Sequence, residues 1–244
     1  MNNYELFVKW VADNIPDREA SVLDYGCGSG IIVQGLLDKD IKAFGCDLFY
    51  EAGDRSKDVS VDLLEKGIIR KMPDGKIPFE DNYFDIVVNN QVIEHVEDLD
   101  LVLSEIMRVL KPGGRVLSMF PHKNAIREGH CGIPCIHWFS SDSKIRVYYA
   151  ALLRSLGLGY FKDKRSIMSW SRDYCKYIDN WTHYRTLDDI HRTYGKYFSS
   201  IQHIEDYWLK ERYAGKYKFI SFIPDSIKKT IVTKLSGLVF VAYK

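Results

Sequence analysis

The sequence predicts an α/β fold in which a parallel sheet carries helices on both faces. Three observations lead there. Short apolar runs alternate with segments whose apolar residues recur at helical spacing. The connections between them are short and rich in Gly and Pro. A chain of 244 residues can bury roughly 70–75% of its unfolded surface, so such a core needs no staples.

Leu6, Phe7, Trp10, Val11 and Ile15 share one face of a first helix, which Pro16 stops. Val22, Leu23 and Tyr25 make a short buried strand, closed by glycines at 26, 28 and 30. Residues 31–37 read as a second helix, and 41–46 as a second strand ending at Asp47. A third clear strand covers 84–88. Leu99, Val102, Leu103, Ile106, Met107 and Leu110 form one face of a helix, which Lys111-Pro112-Gly113-Gly114 ends. A strand over 115–120 follows. The rhythm breaks from about His122 to Arg185, then resumes with a helix near 187–198 and strands near 201–205 and 238–243. With no repeats or low-complexity stretches, the expectation is one domain over 1–244 carrying one insertion at 122–185.

Composition narrows the function classes. Lys+Arg 34 against Asp+Glu 33 gives a formal charge of +1, so nothing global calls for nucleic acid or a membrane surface. No run of 18 apolar residues is present, and no membrane span is expected. The start, Met1-Asn2-Asn3-Tyr4-Glu5, lacks the basic and apolar stretches of a secretory signal. An odd count of five cysteines then favours reduced thiols in a cytoplasmic protein.

The most informative stretch is Val22-Leu23-Asp24-Tyr25-Gly26-Cys27-Gly28-Ser29-Gly30. Glycines between a strand and a helix allow a tight turn and let a ligand approach the backbone. The spacing is G-x-G-x-G. A dinucleotide fingerprint would need glycine at position 31, where Ile31 stands, and no P-loop lysine appears. Asp47, at the carboxyl end of the second strand, is placed either to grip a ribose diol or to cap a helix.

Here the chain resembles a family. Asp24 to Gly30 is similar to the first motif of class I S-adenosylmethionine-dependent methyltransferases, and Asp47 matches their ribose-binding acid. Ile77-Pro78-Phe79-Glu80-Asp81-Asn82-Tyr83-Phe84-Asp85 resembles the family's third region. Asn90-Gln91-Val92-Ile93-Glu94-His95-Val96 resembles the loop after its fourth strand, and Leu110 to Gly114 the turn before the fifth. In style the chain is closest to the ubiquinone/menaquinone-type enzymes, with a weaker resemblance to methyltransferases of bacterial surface polysaccharides. The resemblance implies a Rossmann-like, doubly wound sheet of seven strands with the last antiparallel. It implies S-adenosylmethionine as cofactor, with S-adenosylhomocysteine as product. Gly26 and Gly28 would border its methionine part and Asp47 its ribose, with Asp24, Cys27, Gly30 and Leu48 as further cofactor contacts. Asn90 or Gln91 would lie near the methionine or the methyl donor, and residues around Met72 would flank the adenine.

Methyl transfer from a sulfonium needs alignment and exclusion of water, and an alcohol acceptor also needs a base. These groups belong to whatever covers the acceptor, which the sequence places in a helical lid at 122–185. That stretch holds 11 Lys and Arg against 5 Asp and Glu. A basic lid suits an anionic small-molecule or glycan acceptor: a phosphate, nucleotide sugar or uronate. A solvated basic helix face would read the same way. Within it, Arg127 to Phe139 gathers candidates: His130 or His137 as base, with Glu128 as a further catalytic candidate, and His122, Arg127 and Trp138 as acceptor contacts. The histidines could instead simply pack the lid. His130, Cys131, Cys135 and His137 are four donors too close together for a usual zinc pattern, so no metal is expected. His95 could reach the site or fix a loop. An amphipathic segment with three lysines at 223–235 would dock on the sheet or touch a membrane peripherally. O-methylation leads; C- or N-methylation of a quinone-like, lipid or nucleobase acceptor, and cofactor binding without turnover, stand beside it.

Overall fold

The computed structural model describes residues 1–50, 54–141, 143–215, 220–235 and 237–244. Its strands are β1 (Ser21–Tyr25), β2 (Lys42–Asp47), β3 (Ile69–Lys71), β4 (Phe84–Asn90), β5 (Leu110–Phe120), β6 (Ser200–His203) and β7 (Leu238–Tyr243). They form one sheet in the order β3-β2-β1-β4-β5-β7-β6. The first five pair in parallel, and β7 lies antiparallel between β5 and β6. Every residue of β1 is buried, as a strand covered on both faces must be.

Helices α1 (Asn3–Asn14), α2 (Ile31–Leu37) and α8 (Glu205–Arg212) cover one face. Trp10, Val11, Ile32, Val33 and Trp208 make the core there with Val22 and Val241. On the other face, α4 (Leu99–Val109) and α7 (Leu187–Tyr197) bury Leu103, Ile106, Ile190 and Tyr194 against Leu23, Val87 and Phe240. Sequence sets the helix starts. Asn2 accepts from the Glu5 N–H at 2.9 Å while the Glu5 carboxylate accepts from the Asn2 N–H at 2.7 Å, a reciprocal cap contributing about 1 kcal/mol. The strand order reverses beside β1, between β1 and β4, and this opens a crevice at the carboxyl ends of the parallel strands.

Three local readings are corrected. β3 was absent from the apolar pattern: it is three residues long, and only Ile69 is buried. Lys111 to Gly114 is drawn into β5, with a register shift between the Phe84↔Leu110 and Ile86↔Arg115 pairs. The strand expected to reach 205 stops at His203, because Glu205 begins α8.

Between β5 and α7 the chain forms α5 (Lys144–Ser155) and α6 (Ile167–Trp181). These two pack around their own apolar cluster of Cys131, Ile133, Ile136, Ala150, Trp170, Cys175 and Ile178. Buried Arg146 of α5 pairs with Asp179 of α6. The later amphipathic segment is α9 (Asp225–Leu235; preceded by α3, Val61–Glu65, far earlier in the chain). It packs against α8 and β7. Its Lys228 is buried and bonded to Asp206 at 2.5 Å and Asp225 at 2.7 Å, while Ile227, Ile231 and Leu235 stay half exposed. Among the described residues no helix is long and apolar enough to cross a membrane.

Candidate active site

The turn after β1 is built by its glycines. Gly26, Gly28 and Gly30 have φ of +74°, +52° and +79°, a region that side chains resist. A Cβ on Gly26 would meet the Val92 methyls at 2.4 and 2.7 Å, and one on Gly30 would meet Ile69 Cδ1 at 2.5 Å. A Cβ on Gly28 would find only Arg55 Cδ at 3.9 Å. Two of these glycines therefore serve packing, and Gly28 borders open space. The Gly26 and Cys27 N–H groups both donate to the Cys46 carbonyl, at 2.8 and 3.2 Å, which locks the turn to β2.

Asp47 ends β2. One oxygen accepts from the Gly28 N–H and the other from the Phe49 N–H, each at 2.8 Å. It does not cap a helix. A carboxylate has about four acceptor sites, so both oxygens keep capacity toward the crevice. Asp24 is buried behind it. Burial, then the charge of Asp47, pushes its carboxyl up to about 8.

These groups line one cavity of about 1050 Å³, more than a single drug-sized ligand needs. Asp24, Gly26, Cys27, Gly28, Asp47, Leu48, Met72, Asn90 and Gln91 all reach its wall. Gly30 does not; it shapes the turn. The donor set fits S-adenosylmethionine on its own chemistry. Asn90 Oδ1 is buried with no partner among the described residues, an acceptor suited to an ammonium. Asp47 suits a diol, while Leu48 and Met72 offer apolar surface to a base.

The same cavity extends to a second group of side chains. β4 is followed by a short turn at Ile93–His95, and His95 lines the wall. Its Nδ1 lies 2.6 Å from the Trp181 carbonyl, so Nδ1 carries the proton. Its Nε2 faces His130 Nε2 at 3.2 Å. His130 Nδ1 is in turn 2.6 Å from Glu128 Oε1. Glu128 is fully buried and also accepts from the Cys131 N–H at 2.7 Å and the Tyr184 hydroxyl at 2.8 Å. Burial lowers His95 to about 4, against the pull of the Trp181 carbonyl. Burial alone would raise Glu128, but its bonds to His130, Cys131 and Tyr184 prevail and hold it at about 2.

Not every expected site residue converges here. Arg127 lines the cavity and donates to the Tyr160 hydroxyl at 3.1 Å. His130 lines a smaller adjoining pocket, which shares Arg55, Gly129 and Tyr177 with the main one. Glu128 sits behind His130 and reaches neither, so it orients that ring. His137 is off the wall: its ring is buried against Tyr184, with centroids 4.6 Å apart. His122 is buried too, near the Thr233 carbonyl at 3.1 Å and accepting from the Asn124 N–H. Trp138 is half exposed and lines neither cavity. Proximity in sequence misled at these three, because glycines and a proline turn the loop back on itself.

Sequence reasoning missed the aromatic side of the cavity. Tyr50 lies against Trp181, with centroids 5.3 Å apart, and Tyr177 joins the wall one turn earlier on α6. Tyr177 and Trp181 at i and i+4 were the available signal. Arg55 was missed as well; it lines the cavity and, like Arg127, has no ion pair among the described residues.

Comparison with known proteins agrees with this geometry. Residues 23–118 match the family described as "Methyltransferase domain". The chain is 31% identical over 127 residues to a ubiquinone biosynthesis O-methyltransferase of Thiobacillus denitrificans, covering 49% of this chain and 52% of that protein. It is 34% identical over 165 residues to a demethylmenaquinone methyltransferase of Symbiobacterium thermophilum, covering 59% and 63%. The chain thus spans between half and two thirds of these relatives. Among solved structures, a Haemonchus contortus phosphoethanolamine N-methyltransferase 2 in complex with S-adenosyl-L-methionine superposes with a TM-score of 0.54, at 16% identity, over 100% of this chain and 53% of that one. That likeness is one of fold.

Proposed function

We propose that this chain, which has the fold of the class I S-adenosylmethionine-dependent methyltransferases and carries their methyltransferase domain at 23–118, methylates an oxygen of a small anionic acceptor. The observation that carries the acceptor class is the pair of guanidinium groups, Arg55 and Arg127, on the cavity wall without carboxylate partners among the described residues. Both are exposed, and a guanidinium free of carboxylates offers an entering anion a planar, bidentate donor pair. A sugar phosphate, nucleotide sugar or acidic glycan end has the charge and hydroxyls this wall accommodates. Residues 122–185 act as the acceptor-binding lid of a single domain.

When bound, S-adenosylmethionine supplies a methyl group already activated on sulfur. The chain does the rest. Asp47 holds the ribose diol, Asn90 and Asp24 the amino-acid end, and Leu48 with Met72 the base. Tyr50, Tyr177 and Trp181 shield the transfer line from water and give the acceptor a flat surface to lie on. The His95–His130 pair would activate the acceptor oxygen, with Glu128 fixing the orientation of His130. A second reading, methylation of a phenolic ring hydroxyl, is favoured by the Tyr50–Trp181 surface and by the quinone-pathway relatives.

Calorimetric titration with S-adenosylhomocysteine tests the cofactor half. Micromolar binding to the wild type, weakened at least tenfold in Asp47→Ala, is expected. Charged hydrogen bonds contribute about 1.5–3 kcal/mol each. Absence of binding to folded wild type would overturn the reading. The acceptor half is tested by transfer of labelled methyl to nucleotide sugars, uronates and hydroxylated quinone precursors, compared with Arg127→Ala. Turnover only on uncharged rings, unaffected by that change, would select the second reading.

A further inference from the structure

Glu94 has no role in the site described so far. Only 2% of it is exposed, and neither carboxylate oxygen has a hydrogen-bond partner in another of the described residues. A buried carboxylate in that state costs several kcal/mol unless something neutralises it. His95 and His130 are close to it: one ligand atom from each of the three residues lies within 4.8 Å of the others.

The two imidazoles face each other in an informative way. His95 Nδ1 is committed to the Trp181 carbonyl and His130 Nδ1 to Glu128. Both Nε2 atoms are therefore turned inward, 3.2 Å apart. Two lone pairs cannot rest at that distance with nothing between them; a proton or a cation must be shared. A proton on His130 Nε2 would satisfy His95 but would leave Glu94 without a partner. A metal ion would satisfy all three. With metal–nitrogen bonds of about 2.0–2.1 Å, two ligands on one ion lie about 2.9–3.4 Å apart across octahedral to tetrahedral angles, which spans the separation seen. Each ring also has an oxygen acceptor behind its Nδ1, as metal-bound histidines do.

We propose that Glu94, His95 and His130 hold one divalent transition-metal ion of the zinc type, with its open positions toward the cavity. Two imidazoles and one carboxylate form a donor set for such an ion rather than for magnesium or calcium, which prefer all-oxygen shells. The cysteines of the neighbouring loop take no part: Cys131 packs in the α5–α6 cluster. The role of the ion deepens the methyltransferase reading and rests on it. Bound at an open position, the acceptor hydroxyl loses its proton to solvent more readily. Its oxygen lone pair then takes the methyl carbon, and the sulfur keeps the electrons of the broken C–S bond.

The test uses Co²⁺ as probe on chelator-treated protein, followed by its visible absorption and by calorimetry. One equivalent should bind with the intense bands of a four- or five-coordinate site, and Zn²⁺ should displace it. Glu94→Gln and His130→Ala should each weaken binding at least tenfold, whereas Cys135→Ser should leave it unchanged. No Co²⁺ binding, or binding indifferent to Glu94→Gln in a variant with unaltered circular dichroism, would overturn the proposal. S-adenosylhomocysteine is titrated into the same samples. Cofactor binding without metal binding refutes the metal site alone, and metal binding without cofactor binding refutes the methyltransferase reading alone.

Discussion

Replacing Gly26 by alanine separates two physical reasons for one glycine. The residue has φ +74°, and an alanine held there costs about 1–2 kcal/mol. Its Cβ would also lie 2.4 Å from Val92 Cγ2 and 2.7 Å from Cγ1, well inside contact distance. Overpacking of this kind costs about 1–3 kcal/mol, so Gly26→Ala should destabilise by roughly 2–5 kcal/mol in all. Val92→Ala removes both clashing methyls. In that background the second contribution should nearly vanish, leaving about 1–2 kcal/mol and a coupling of about 1–3 kcal/mol across the cycle. Urea unfolding of the four proteins at fixed pH measures this, provided the slope with denaturant is unchanged. If Gly26→Ala costs the same with and without the Val92 methyls, the packing half of the argument is wrong.

Other perturbations probe the site and its supports. Asp24, pushed up to about 8 by burial and by Asp47, keeps its proton in the free protein at neutral pH. An ammonium held beside it favours the ionised form, so binding should release a proton. Affinity for S-adenosylhomocysteine should then rise as pH increases toward 8, by at most about tenfold per unit, and lose that dependence in Asp24→Asn; a flat wild-type profile by calorimetry would contradict this. A raised acid also means stability falls as pH rises from about 4 to 8, so Asp24→Asn should melt at an equal or higher temperature than wild type at pH 7.5. Glu128→Ala removes a fully buried acceptor of four donors and should cost about 3–5 kcal/mol in thermal unfolding. Arg146→Ala removes the buried arginine that pairs with Asp179 between α5 and α6, and faster hydrogen exchange confined to those helices is expected.

Much of this was legible in the sequence because it is local. The glycine turn, Asp47 and Asn90 are fixed by strand ends and short connections, so spacing alone carried them to one wall. The strands with several apolar residues in a row were legible for the same reason; β3, with a single buried residue, offered no period to read. The acceptor side was not local. His122, Glu128, His130 and His137 occupy 16 consecutive positions, yet the chain reverses between them through Cys135 at φ +55°, and only His130 meets a pocket. Besides Glu128 in the same loop, His130 has partners from elsewhere: His95 after β4 and Tyr184 beyond α6. No pattern within the loop could show that. Glu94 stands in the sequence only as one residue of the loop after the fourth strand, and its burial is visible only in the fold.

The stretch just past α6 grips the turn after β4 by its backbone. His183 N–H donates to the Glu94 carbonyl at 2.6 Å, and Arg185 donates to the carbonyls of Val96 and Glu97, each at 2.7 Å. The Trp181 carbonyl takes the His95 proton. The stretch after α6 and the turn after β4 are consequently held as one mechanical unit. A chimera that imports 122–185 from a relative to change specificity would also import the posture of His95. Grafts that preserve the seam at 181–185 would leave His95 where it is.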